Sequence, residues 1–116
     1  MADSLPKARA INAKVDLTTT DATTLYTVPA KHYAIIESIL VSEDSGNADT
    51  ITVTVTDSAS AVFSLFKTKS ISANGTTELL TNNLNLTASE IIKVTAATAG
   101  RLHVVMSIKE YYTGLN

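Results

Sequence analysis

Asp49-Thr50-Ile51-Thr52-Val53-Thr54-Val55-Thr56-Asp57 is the stretch on which the fold turns. Ile51, Val53 and Val55 alternate with four threonines, and a strict period of two sends alternate side chains to opposite faces of a pleated strand. β-Branched residues on both faces favour that backbone. The segment therefore reads as a strand with one face in a core and the other wet and rich in hydroxyls.

Runs of the same kind lie on both sides of it. Leu102 to Glu110 alternates, with Leu102, Val104, Met106 and Ile108 on one face and His103, Val105, Ser107 and Lys109 on the other. Tyr33 to Ser42 is apolar on both faces except at Glu37 and Ser38, which predicts a central strand covered on two sides. Shorter runs cover Ala13 to Thr18, Leu25 to Val28 before Pro29, Ala61 to Lys67 with a further run around Ile71, Thr76 to Leu80, Leu84 to Leu86, and Glu90 to Ala96. Asn74-Gly75 suits a two-residue hairpin turn, because both residue types accept positive φ. The first twelve residues, interrupted by Pro6, read as an extended N-terminal arm, and residues 13–116 as one β-sandwich domain. About eight strands and no helical period predict an all-β antiparallel sandwich, a jelly roll first and an immunoglobulin-like sandwich second.

Composition excludes several functions. A chain of 116 residues suits a single domain with its own core. Nine basic and eleven acidic residues, net −2, give no footprint for nucleic acid. With no cysteine there are no disulfides, thiolate nucleophiles or thiolate metal sites. No apolar run of signal-peptide length lies in Met1 to Lys14, and nothing approaches a membrane span, so the chain is expected to be made and kept in cytosol, or assembled from it. Serine and threonine number 29, while aromatics are 5%, a poor palette for a ring-lined ligand pocket.

The residues that could carry chemistry are few. His32 and His103 lack a partner at metal-ligand spacing and read as surface groups. No nucleophile elbow is present, so no enzyme, cofactor or metal centre is expected. The loop Glu43 to Asp49 gathers three carboxylates around Gly46, but it lacks calcium-loop spacing and reads as a solvated hairpin. The sequons at Asn74 and Asn85 are explained by a turn and by threonine content. Leu5, Ile11, Tyr111 and Tyr112 are apolar groups at the chain ends and are the candidate anchors for a partner.

From Thr24 to Tyr112 the order of segments resembles a group of small tailed-bacteriophage virion proteins. The likeness is carried by L-Y-T-V-P-A at 25–30, A-I-I-E-S-I-L-V at 34–41, T-I-T-V-T-V-T-D at 50–57, S-I-S-A-N-G-T-T-E-L-L at 70–80, L-N-L-T-A-S-E-I-I-K-V-T-A at 84–96 and the closing strand to Tyr111. One departure is Lys31, where that pattern more usually has glycine. The resemblance implies a virion location and a β-sandwich building block. The role expected from it is a head decoration or cement protein that binds the major capsid protein as a homo-oligomer, a trimer first. A neck, tail or fibre component is the alternative, and a carbohydrate-binding module a more distant one.

Overall fold

A computed structural model describes residues 8–114. Nine strands, and no helix among the described residues, run β1 (Ala8–Asp16), β2 (Thr23–Thr27), β3 (His32–Glu43), β4 (Asp49–Thr56), β5 (Val62–Ile71), β6 (Thr76–Glu78), β7 (Leu84–Leu86), β8 (Ile91–Ala96) and β9 (Leu102–Tyr112). They form two antiparallel sheets. The larger has the order β1-β9-β3-β6, with β7 also on β3, and the smaller β2-β8-β4-β5. Thus β1 lies beside β9, β2 beside β8, β3 beside β6 and β7, and β4 beside β5. That is one long hairpin rolled across two sheets, the jelly-roll pairing. The immunoglobulin-like alternative, in which sequential strands hydrogen-bond within each sheet, does not fit. Nine strands replace the expected eight because the partner of β3 is broken into two short pieces.

The alternation read from the sequence is realised in β4 and β9. Ile51, Val53 and Val55 face inward with Asp49, and the four threonines are half-buried on the outside. On β9 the inward set is Leu102, Val104, Met106, Ile108 and also Glu110. Ile36, Ile39 and Val41 of β3 with Ile92 and Val94 of β8 complete the centre of the core.

β3 is central in its sheet but covered on one face only. Its register with β9 slips between Ile36 and Ser38, so Glu37 is an extra residue in the ladder. Ala34 and Ile36 point inward before the bulge, and Ile39, Val41 and Glu43 after it. A phase change produces the doubly apolar look of this run, while Leu40 remains 39% exposed.

Two connections differ from expectation because their flanking strands lie in different sheets. Asn74-Gly75 joins β5 to β6, which do not pair, so it is no hairpin. Asn74 has φ 56, and Gly75 donates its N–H to the Ser72 carbonyl at 3.0 Å, the arrangement of a four-residue turn with positive φ at its third position. The segment after Glu43 likewise crosses from one sheet to the other. Lys31 has φ 62, in the left-handed region that glycine tolerates best, and the Thr113 amide closes on its carbonyl at 2.7 Å.

Part of the segment read as an arm, residues 1–12, is strand. Ala8 to Asn12 already belong to β1 and pair with Tyr111 to Ser107, because the alternation of Ile11, Ala13 and Val15 continues the inward face of β1. Residues 1–7 lie outside the described residues.

Three glutamates fill irregular places in this frame. Glu43 is 1% exposed, and its carboxylate accepts hydrogen bonds from the amides of Ser45 (2.7 Å), Gly46 (3.1 Å) and Asn74 (2.9 Å) and from the Ser45 hydroxyl. Glu78 caps the β3 bulge by accepting from the Ile39 amide at 2.8 Å and from the Ser38 hydroxyl. Glu110, 2% exposed, accepts from Arg9 of β1 (3.0 Å) and from the Tyr26 hydroxyl of β2, tying the two sheets together. Burial pushes each of these carboxyls up, but the hydrogen bonds outweigh it. All three lie below the ordinary value of 4.5, Glu43 at about 2.

A group whose folded pKa is depressed adds stability that is complete above its unfolded pKa and lost as pH falls toward its folded one. The melting temperature is therefore expected to be level from neutral pH down to about 5 and to fall steadily below it. Thermal melts in a pH series check this, and Glu43→Gln should make the acid fall shallower. A melting temperature unchanged down to pH near 2 would remove the glutamates from this account.

Candidate interaction surface

The outer face of the large sheet is a grid whose rows follow from strand register. Reading from β1 through β9 to β3, the rows are Ala8–Tyr111–Tyr33, Ala10–Lys109–Ile35, Asn12–Ser107–Ser38, Lys14–Val105–Leu40 and Asp16–His103–Ser42. The apolar side chains fall into two bands separated by the polar middle row. In the first, Tyr33 and Tyr111 are directly opposed and their rings stack at 4.9 Å with planes 9° apart. In the second, Leu40 and Val105 are opposed and each about 40% exposed.

Lys109 and His103 on this face have acidic neighbours. Lys109 lies 3.4 Å from Glu37. His103 is bracketed by Asp16 on Nε2 (3.3 Å) and Asp44 on Nδ1 (3.7 Å), linking β1, β9 and the segment after β3. Surface pairs of this kind stabilise little, but they fix which groups face outward. His32, the first residue of β3, has its Nδ1 2.9 Å from the Ala30 carbonyl oxygen and its ring 5.1 Å from that of Tyr112.

Of the four predicted anchors, the three among the described residues are not brought together. Tyr111 stands on the outer face against Tyr33. Tyr112 is half-buried, and Gly114 passes so close that a Cβ there would meet its ring and hydroxyl. Ile11 faces inward beside Ile108 and packs on the core, since the pairing of β1 with β9 turns its odd-numbered residues inward. It is half-buried there, off the outer face that carries Tyr111. Leu5 lies outside the described residues.

Tyr33, Leu40 and Val105 are the exposed groups that the sequence reading left out. The parity of β9 would have placed Val105 outward, and the bulge at Glu37 concealed Leu40. A further exposed pair, Val62 and Phe63, stands beside the β4–β5 turn, whose shape is held by Asp57 accepting from the amides of Ala59 and Ala61, both at 2.9 Å. The loop acids go three ways: Glu43 inward, Asp44 to His103, and Asp49 to the Thr98 amide at 3.1 Å. Among the described residues no group of three or more His, Asp or Glu side chains is arranged to hold a metal ion.

No protein-family model matches the chain, and no curated protein matches it in sequence. Among solved structures it is similar to a chain of the acid-stable capsid of Helicobacter pylori bacteriophage KHP30, with TM-score 0.54, 12% identity and 97% of both chains covered. It is also similar to a chain of the Bacillus endospore appendages, a family of disulfide-linked pili, with TM-score 0.51, 12% identity, and 94% of this chain and 87% of that one covered. A cyanophage capsid chain (TM-score 0.45, 20% identity, 92% and 86% covered) and a family 22 carbohydrate-binding module of a Clostridium thermocellum xylanase (0.41, 12%, 96% and 87%) are more distant. These likenesses describe an all-β fold that phage capsid and spore pilus chains also have.

Proposed function

We propose that the chain is a non-catalytic structural protein of a bacteriophage virion, placed on the head as a decoration or cement protein. The observation that carries this reading is the outer face of the large sheet, where Leu40 and Val105 stand exposed in one band and the Tyr33–Tyr111 stack in another, while the buried Glu43 and Glu110 are committed to donors of the fold itself. The fold likeness to a phage capsid chain and the order of segments support the virion setting. Such a protein works by contact. It buries area across junctions of the assembled shell, and because it binds the lattice rather than loose subunits, it shifts the assembly equilibrium toward the intact particle. A symmetric oligomer, a trimer in the first instance, multiplies those contacts. The N-terminal arm read at residues 1–12, of which Ala8 to Asn12 belong to β1, is the segment expected to reach the capsid protein.

Cosedimentation of the purified protein with shells lacking it tests the reading. Bound protein and a higher shell disassembly temperature are expected. Absence from shells together with binding to isolated necks, tails or fibres would move it to those parts, and binding to an immobilised glycan without shell binding would replace the reading.

A further inference from the structure

Each sheet of a sandwich has two edges, and an unpaired edge is a template for another strand. Three of the four edges here carry features that discourage pairing. β2 has five residues with a register shift between Thr24 and Tyr26. β5 is interrupted twice in its register, with Thr68 at φ 49 in its middle. β6 and β7 have three residues each. β1 differs: nine residues pair with β9 in one unbroken register, without proline or bulge. Among the described residues no strand lies on its other side.

The direction of its free groups follows from the ladder. Leu17, directly after β1, donates its N–H to the Leu102 carbonyl at 2.9 Å. Alternation along an antiparallel strand then turns the backbone groups of Arg9, Ile11, Ala13 and Val15 toward β9 and those of Ala8, Ala10, Asn12, Lys14 and Asp16 toward the free edge.

We propose that this edge pairs antiparallel with β1 of a second copy about a two-fold axis at Asn12, joining the large sheets of two molecules into one. Centred there, the pairing uses all five free-edge residues of each copy. On the outer face Lys14 stands opposite Ala10 and Asp16 opposite Ala8; on the inner face Arg9 stands opposite Val15 and Ile11 opposite Ala13. Every long or charged side chain meets a small or apolar one. A parallel pairing in register would instead set Arg9, Lys14 and Asp16 each beside its like, which is destabilising. The half-buried Ile11 and Val15 gain cover at the same time. In a trimer each copy keeps its own β1 edge, so the pairing links one oligomer to the next, and it stands whether or not the protein sits on a shell.

The chain has no cysteine, so a single Asn12→Cys reports cleanly. Facing residues of a hydrogen-bonded antiparallel pair have Cα atoms about 5.5 Å apart, within disulfide range. Mild oxidation at high micromolar concentration should convert most Asn12→Cys protein to a linked dimer on a denaturing gel, while Thr54→Cys, on the outer face of the other sheet, stays monomeric. Asn12→Pro removes an N–H that points to the free edge and leaves the β9 ladder whole. It should melt normally and weaken self-association in sedimentation at least tenfold. Crosslinking of Asn12→Cys no faster than of Thr54→Cys, or undiminished association of a folded Asn12→Pro, would overturn the pairing.

Discussion

Val53→Asp is expected to leave no folded domain. Val53 is fully buried in β4 between Val94 of β8 and Phe66 of β5, at the middle of the smaller sheet. A carboxylate there has no cation or free donor to meet, and an isolated buried charge is so costly that the group either protonates or the fold opens. Even protonated, it exchanges an apolar side chain for a polar one without partners. The combined cost exceeds about 5 kcal/mol, comparable to the whole stability of a small domain. Circular dichroism and thermal melting check this, with loss of the cooperative transition expected. Thr54→Lys is the matched control one residue along. Thr54 lies on the outer face opposite Lys93 and Ser64, so the change should cost less than about 1 kcal/mol. A normal melt for Val53→Asp would overturn the assignment of the buried face.

That pair of substitutions also marks what could be read from the residues alone. β4 and β9 alternate without interruption, and an uninterrupted period of two maps onto one buried and one open face. The strands could therefore be found, and their inward residues named, before any pairing was known. Pairing itself is a property of residues far apart: β1 meets β9 about a hundred positions away, and nothing in either strand encodes the other. For the same reason Asn74-Gly75 looked like a hairpin. Its turn chemistry is real, with Asn74 at positive φ, but the strands it joins belong to different sheets.

β3 failed in a different way. One extra residue at Glu37 inverts the faces of everything after it, so Ile35 and Leu40 lie outward although they flank inward Ile36 and Ile39. A bulge has no local signature strong enough to distinguish it from a strand covered on both sides. The buried glutamates did leave a signal. Glu110 has the parity of Ile108 and Met106, and Glu43 that of Val41 and Ile39, so the rule that finds the core also predicts two acids turned inward. What the residues could not supply were the donors: Tyr26 and Arg9 for one, and the amides of Ser45, Gly46 and Asn74 for the other. The candidate anchors followed the same limit. Chain-end apolar residues were chosen by position, and register then turned Ile11 inward against the edge of the core and left Tyr111 on the face that carries Leu40 and Val105.

Leu40→Asp combined with Val105→Asp is expected to abolish attachment to shells while leaving the fold intact. The two side chains face each other across β3 and β9 and point away from the core, so the folded monomer has little to lose. At an interface the outcome is different. Central apolar groups that become fully desolvated dominate binding, and truncating one commonly costs 2 kcal/mol or more, roughly a thirtyfold loss. Replacing both with carboxylates adds the desolvation of two charges, so binding should fall by about a thousandfold or beyond detection. Glu78, opposite Leu40 in the same row, adds a small like-charge cost to the fold in the free and the bound protein alike, and Lys14, opposite Val105, offsets part of it. Asn85→Asp, two rows away beside Ile35, separates this from a general effect of negative charge: it should weaken binding only a few-fold. Melting temperatures within a few degrees of the parent, together with loss from the shell pellet, are the expected pair of results. Retained binding by the folded double variant would place the contact elsewhere, with the exposed Val62 and Phe63 beside the β4–β5 turn the next surface to change.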